Sequence, residues 1–161
     1  MTRVLILAAL AAMLIPATSS ARTYPHETAK VEVTIPDAWK VEADDDVLSA
    51  TSADEMLGLV FTVLPAAAID EALDQLDKEL ASFITDMEPD GKPSEVTING
   101  MKGITIDGKG KIEGVAMDIG LMILEAPSGK VVMVLGFAAK GTMDKHERAV
   151  QGIFKSLKPT K

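Results

Sequence analysis

Val31, Val33 and Ile35 alternate with polar residues and are followed by Pro36, a period of two that puts the three on one face of a half-buried strand. The segments "DVLSATS" and "LGLVFTVLP" predict two further strands, the second rich in β-branched and aromatic residues and closed by Pro65. The period then changes. From 69 to 87 the apolar residues Ile69, Leu73, Leu76, Leu80, Phe83, Ile84 and Met87 recur at helical spacing, and Asp70, Glu71, Asp74, Asp77 and Glu79 fill the other face and the first turns. "EPDGKP" ends that helix. In the following "SEVTINGMKGITIDGKG", Asn99-Gly100 signals a tight hairpin, because a type I′ turn needs positive φ at both central residues. Val96, Ile98 and Met101 share a face under that pairing while Ile104 and Ile106 fall on the other, which predicts a parity-switching bulge at Gly103.

"VAMDIGLMILEA" and "KVVMVLGFAAK" flank "PSG", a three-residue loop with Pro127 opening a turn and Gly129 in the left-handed position. Both strands are apolar on both faces and belong in the middle of a covered sheet. Val150, Ile153, Phe154 and Leu157 predict a C-terminal helix stopped by Pro159. Strands, helix, four strands, helix, with hairpin connections throughout, make an α+β domain. The expected architecture is a layered α/β/α sandwich with a mainly antiparallel sheet of about six to seven strands and two principal helices.

The first residues stand outside this pattern. Arg3 precedes an unbroken apolar run over 4–15, Pro16 ends it, and the small residues Ser19 and Ala21 follow, the layout of a secretory leader cleaved after Ala21. The run falls short of the about 20 apolar residues that span a bilayer. Residues 1–21 are therefore read as signal peptide and 22–161 as one domain, soluble after cleavage, without stable membrane insertion, and periplasmic or secreted. The 161 residues contain no cysteine, which excludes a disulfide framework, a thiolate metal site and a lipid-anchored thiol. Loss of the leader removes one charge, Arg3, so the 16 basic side chains become 15 against 24 acidic ones. That balance opposes binding to nucleic acid or anionic lipid.

"TIPDAW" after the first strand, a strand pair, an amphipathic helix, "VTINGMKG", a long central hairpin and a terminal "IFKSLKP" together resemble the exported PsbP-like and DcrB-like domains, whose fold is shared with the Mog-type Ran-binding protein. The resemblance covers residues 30–159. It implies the fold of that superfamily and a role in binding rather than catalysis, as an accessory module for another protein. It carries over no functional residue, and an export leader argues against a nuclear role.

Few residues suggest chemistry. Against the calcium-loop template, Asp44, Asp46 and Glu55 fit the first, third and twelfth positions. Leu48 and Ser49, however, replace the fifth-position ligand and the turn glycine, so the segment reads as a charged hairpin turn with no metal, and no cofactor is expected. His26 is placed in the mature N-terminal tail and His146 on the surface of the last helix, without paired ligands. Met117, Met122, Met101 and Met133 read as core filling, and Trp39 as a packing anchor. Counting back from the 127–129 loop sets Gly120 opposite Gly136 and Asp118 opposite Ala138. The two glycines make a notch in otherwise branched strands, to be covered by one of the helices or to serve as a ligand pocket. The resulting expectation is a non-enzymatic binding or accessory protein with a protein partner in the cell envelope. The alternative is a metal-dependent or hydrolytic enzyme whose site gathers scattered carboxylates.

Overall fold

The structure, a computed structural model, describes residues 20–161, so residues 1–19 of the expected leader lie outside the described residues. In chain order the elements are β1 (Ala21–His26), β2 (Val31–Pro36), β3 (Lys40–Ala43), β4 (Val47–Thr51), β5 (Leu57–Leu64), α1 (Ile69–Leu80), β6 (Ile84–Pro89), β7 (Ser94–Ile98), β8 (Met101–Ile112), β9 (Val115–Glu125), β10 (Val131–Ala139), α2 (Met143–Ser156) and β11 (Lys158–Pro159). The class is α+β with antiparallel pairing in every ladder. The strand count is larger than the pattern predicts. An eight-stranded sheet runs β3-β4-β5-β10-β9-β8-β6, with β7 also on β8, and a separate three-stranded sheet runs β1-β2-β11.

The additional strands are ones that alternation does not mark. β1 carries Pro25 and mostly polar, exposed residues, acceptable because it is an edge. β3 and β11 are four and two residues long. β6 corrects the helix boundary: α1 stops at Leu80, and Ile84 enters a strand paired with Ile112 of β8. The register of β6 slips between Thr85 and Glu88, where Asp86 has φ of 52°. That bulge sets Ile84 and Met87 against the same core, so a bulged strand imitates helical spacing over those residues. Lys111 of β8 holds Asp86 at 2.7 Å and keeps its carboxyl below the usual range, chiefly by that hydrogen bond.

Gly103 is a second correction, because β8 pairs without interruption through it on both sides. Val96, Ile98 and Met101 face one core, Ile104 and Ile106 the other, and both faces of the sheet are covered, so no change of parity is needed. A Cβ at 103 would sit 2.0 Å from the Ile123 carbonyl oxygen, which accounts for the glycine by close approach.

The larger core lies between one face of the large sheet, the small sheet and α2. It joins Val31, Val33 and Ile35 to Leu48, Phe61, Met122, Ile153 and Leu157, with Trp39 half-buried at its border. The second core is the seam under α1, where Ala72, Leu76 and Leu80 meet Leu121, Ile123 and Met133. Met117 packs on this seam and Met122 on the larger core, so the methionines are divided between opposite faces of the sheet. α1 begins where Glu71 accepts the Ala67 N–H at 2.8 Å and where Asp70 and Glu71 meet the positive end of the helix dipole. The end of α2 is held from a distance. Asn99, in the β7–β8 turn, donates its amide to the carbonyls of Lys155 and Leu157 at 2.9 and 2.7 Å.

Candidate functional site

Strand register builds a row across four neighbouring strands on the face toward α2. Leu59 of β5 lies beside Gly136 of β10, Gly136 beside Gly120 of β9, and Gly120 beside Asp107 of β8. One step along, Asp118 pairs with Ala138, and its carboxylate accepts the Gly141 N–H at 2.9 Å, fixing the turn that leads into α2. From there α2 crosses over the glycine row with Met143, Val150 and Phe154 turned toward the sheet. Two adjacent positions without side chains leave the helix standing off. A cavity of about 160 Å³ remains, walled by Leu59, Met122, Val134 and Phe154, with Thr105 and Asp107 on the β8 side.

The glycines of this sheet differ in what they accommodate. A Cβ at Gly58 would meet the Phe137 ring at 2.5 Å, so that glycine is filled by a neighbour, as Gly103 is by the Ile123 carbonyl. At Gly136 the nearest atom is Leu59 Cδ2 at 3.2 Å, and at Gly120 it is Asp107 Oδ1 at 3.4 Å. Gly120 also has no left-handed φ. Neither backbone conformation nor close packing calls for glycine at 120; the residue keeps space open.

A polar cluster pins the start of the same helix. Asp54, in the loop between β4 and β5, accepts from Lys145 Nζ at 2.6 Å, from Ser52 Oγ at 2.7 Å and from the Met56 N–H at 3.3 Å. Lys145 first and Ser52 next hold its carboxyl well below the usual carboxylate range, against an opposing effect of burial. His146 is buried rather than on the surface, a correction to its sequence reading, with Nε2 3.3 Å from Asp54 Oδ2 but not aligned for a hydrogen bond. The set is not a nucleophile with its base. Ser52 Oγ donates to Asp54 and accepts the Leu57 N–H, so it does not face the imidazole.

The acidic turn does not assemble with its proposed partner. Asp44 and Asp46 sit at the start of β4 and Glu55 beyond its end, separated by a strand of five residues, about 16 Å. Asp46 is engaged locally. Its carboxylate accepts from Thr28 at 2.8 Å and its carbonyl from Thr62 at 3.1 Å, while Asp44 accepts the Asp45 N–H at 2.8 Å. His26 is likewise buried in β1 rather than in a free tail. Its Nδ1 accepts the Ala29 N–H, which leaves Nε2–H to donate to the Asp46 carbonyl at 3.0 Å. Among the described residues no three His, Asp or Glu side chains gather as a metal site.

By sequence alone, no family model and no curated protein matches the chain. By structure it is similar to LpqN, involved in cell envelope biogenesis of Mycobacterium tuberculosis, with a TM-score of 0.62 at 14% identity over 88% of this chain and 91% of that one. It is similar to the cyanobacterial PsbP of Synechocystis sp. PCC 6803, with a TM-score of 0.59 at 12% identity over 92% and 97%. The Saccharomyces cerevisiae Ran-binding protein Mog1p gives 0.54 at 9% identity over 87% and 95%. The chain has the Mog1/PsbP-like fold.

Within this Mog1/PsbP-like domain, residues that sequence reasoning passed over are Thr105 and Asp107 at the cavity and the Asp54 cluster beside it. Asp107 had a readable signal. Glu113 and Gly114 have φ of 51° and 81° and close a two-residue hairpin between Ile112 and Val115, and counting back from them sets Asp107 against Gly120.

Proposed function

We propose that this chain is an exported, non-enzymatic accessory protein of the cell envelope that acts by binding another protein. The observation that carries this reading is the meeting of an export-type leader with a fold also built by LpqN, involved in cell envelope biogenesis, and by the Ran-binding protein Mog1p. Cleavage after Ala21 is compatible with the fold, since Arg22 through His26 keep their pairing with β2. Among the described residues no helix is long and apolar enough to cross a membrane. The alternative, a metal-dependent or hydrolytic enzyme whose site gathers scattered carboxylates, loses the support of its named candidates, since Asp44 and Asp46 lie before one end of β4 and Glu55 beyond the other.

The test is cross-linking in intact cells that make the full chain, followed by purification of the adduct and N-terminal sequencing of the secreted form. The expected result is a chain beginning at Arg22 in a stoichiometric adduct with one envelope protein. A chain recovered with Met1 intact in the cytoplasm, or one that is exported but monomeric with no adduct, would overturn the reading.

A further inference from the structure

We infer that the cavity between the Gly120–Gly136 row and α2 is a binding site for a small organic cation, an ammonium group carried on an apolar body about the size of one six-membered ring. This inference stands independently of the accessory role, since it rests on the cavity alone.

Size sets the body. The cavity measures about 160 Å³. An enclosed apolar cavity of about 150 Å³ accepts benzene; this pocket has that size and mainly apolar walls but is open at the exposed Asp107, so a ring or a short branched chain fits against the walls with its polar end at the mouth. Leu57, Leu59, Met122, Val134, Val150 and Phe154 supply such a lining, and the two methionines that border it, Met122 and Met143, adapt to ligand shape.

Charge sets the head group. Asp107 is the one charged residue among those lining the cavity. Lys109 and Lys111, the nearest lysines along β8, are turned to other carboxylates, Asp90 at 3.7 Å and Asp86 at 2.7 Å. Among the described residues no lysine, arginine or histidine lies within 4 Å of the Asp107 carboxylate. Its Oδ1 leans over Gly120, at the point where a side chain on that residue would begin. A ligand whose apolar part rests on the glycines therefore places its end against this oxygen. A cation there gains a charge-assisted hydrogen bond, while an anion meets repulsion from Asp107 and from the chain's formal charge of −8. Thr105, on the same strand two residues before Asp107, adds a hydroxyl at that side.

The empty space has no other account in the fold. Gly58 and Gly103 are filled by a ring and a carbonyl, whereas Gly120 is met only at van der Waals distance and has ordinary φ. A Cβ at 120 would meet no atom closer than 3.4 Å, so a small side chain is accommodated there and glycine costs stability while leaving space.

The probes are benzylamine, benzyl alcohol and benzoate, matched in body and differing in head group. Binding is followed on the full folded protein by the methyl NMR signals of Met122 and Met143, with calorimetry for affinity. Benzylamine is expected to bind saturably and to shift both methyl signals, benzyl alcohol to bind about fivefold more weakly, and benzoate weaker still, the scale of one ion pair to an exposed carboxylate. Asp107→Asn should reduce benzylamine affinity to that of the alcohol and leave the alcohol unchanged. Gly120→Val should abolish both while the melting temperature stays at or above that of the parent. Benzylamine affinity unchanged in Asp107→Asn, equal binding of amine and alcohol, or Met122 and Met143 signals that do not move would each overturn the inference.

Discussion

An added methyl group has opposite consequences at Gly103 and Gly120, which lie on neighbouring strands and on one face of the sheet. At 103 it would stand 2.0 Å from a backbone oxygen and 2.7 Å from Leu124 Cδ2, so the β8–β9 ladder must part. Gly103→Ala is expected to lose about 3 kcal/mol, the upper end of overpacking costs. At 120 the same methyl meets only Asp107 Oδ1 at 3.4 Å, and the strand gains from losing a flexible residue. Gly120→Ala should therefore raise stability by about 0.5 kcal/mol. Urea unfolding of both variants checks the pair, and a cost at 120 equal to that at 103 would mean that the space is not available. Asp54 gives a pH-dependent test at the same scale. Its carboxyl titrates lower in the folded protein than in the unfolded chain, where about 3.9 is ordinary. The stabilisation is thus present above that value and lost as pH falls through the folded value. The parent should melt above Asp54→Asn by a constant margin from about pH 7 to about pH 5, and the margin should shrink below about pH 4. A margin that grows on acidification would contradict the carboxylate's role in holding Lys145.

Whole elements were readable where one physical signal dominated. The Pro127–Gly129 loop fixed the register of β9 and β10, so Gly120 beside Gly136 followed by counting, and the amphipathic stripes located α1 and α2. β6 was not readable, because a bulge at Asp86 puts Ile84 and Met87 on one side as a helix would. The Asp54 cluster was hidden for another reason: Lys145 is 91 residues away, and no local pattern announces a contact across that distance. Asn99 combines both cases. Its left-handed φ of 47° in the Asn-Gly turn is a sequence signal, but its hold on the end of α2 depends on tertiary structure. Two variants separate the roles. Asn99→Gly keeps a residue that tolerates positive φ and loses only the two hydrogen bonds to α2, for an expected cost of about 1 kcal/mol. Asn99→Ala loses both and should cost about 2 to 3 kcal/mol. Equilibrium unfolding measures the difference, and equal losses in the two variants would show that the bonds to α2, not the turn, carry the whole effect.

At the scale of the molecule, two sheets are organised as one cooperative body. The small sheet has no core of its own: Val31, Val33 and Ile35 are buried against Leu48, Phe61, Ile153 and Leu157, which belong to the large sheet and to α2 and its end. Hydrogen bonds cross the same junction, from the Thr34 N–H to Ser156 Oγ at 2.8 Å and from Ser128 Oγ to the Ala29 carbonyl at 2.7 Å. The C-terminal residues close it, with Lys158 paired to Glu32 at 3.1 Å and the Thr160 N–H donated to the Lys30 carbonyl at 2.9 Å. If the small sheet were to leave, it would expose the larger core and strand the end of α2, so neither part has a stable state without the other. The protein should therefore unfold in one transition, as single domains of this size do. Trp39, the only tryptophan, lies between β2 and β3 and reports on the border of the larger core, while far-ultraviolet circular dichroism reports on all strands and both helices. Urea curves from the two signals are expected to superimpose, with calorimetric and van't Hoff enthalpies equal. Fluorescence that changes at lower urea than ellipticity would mean that the small sheet and α2 detach first, and the junction at Thr34 and Ser156 would then be a hinge rather than a seam.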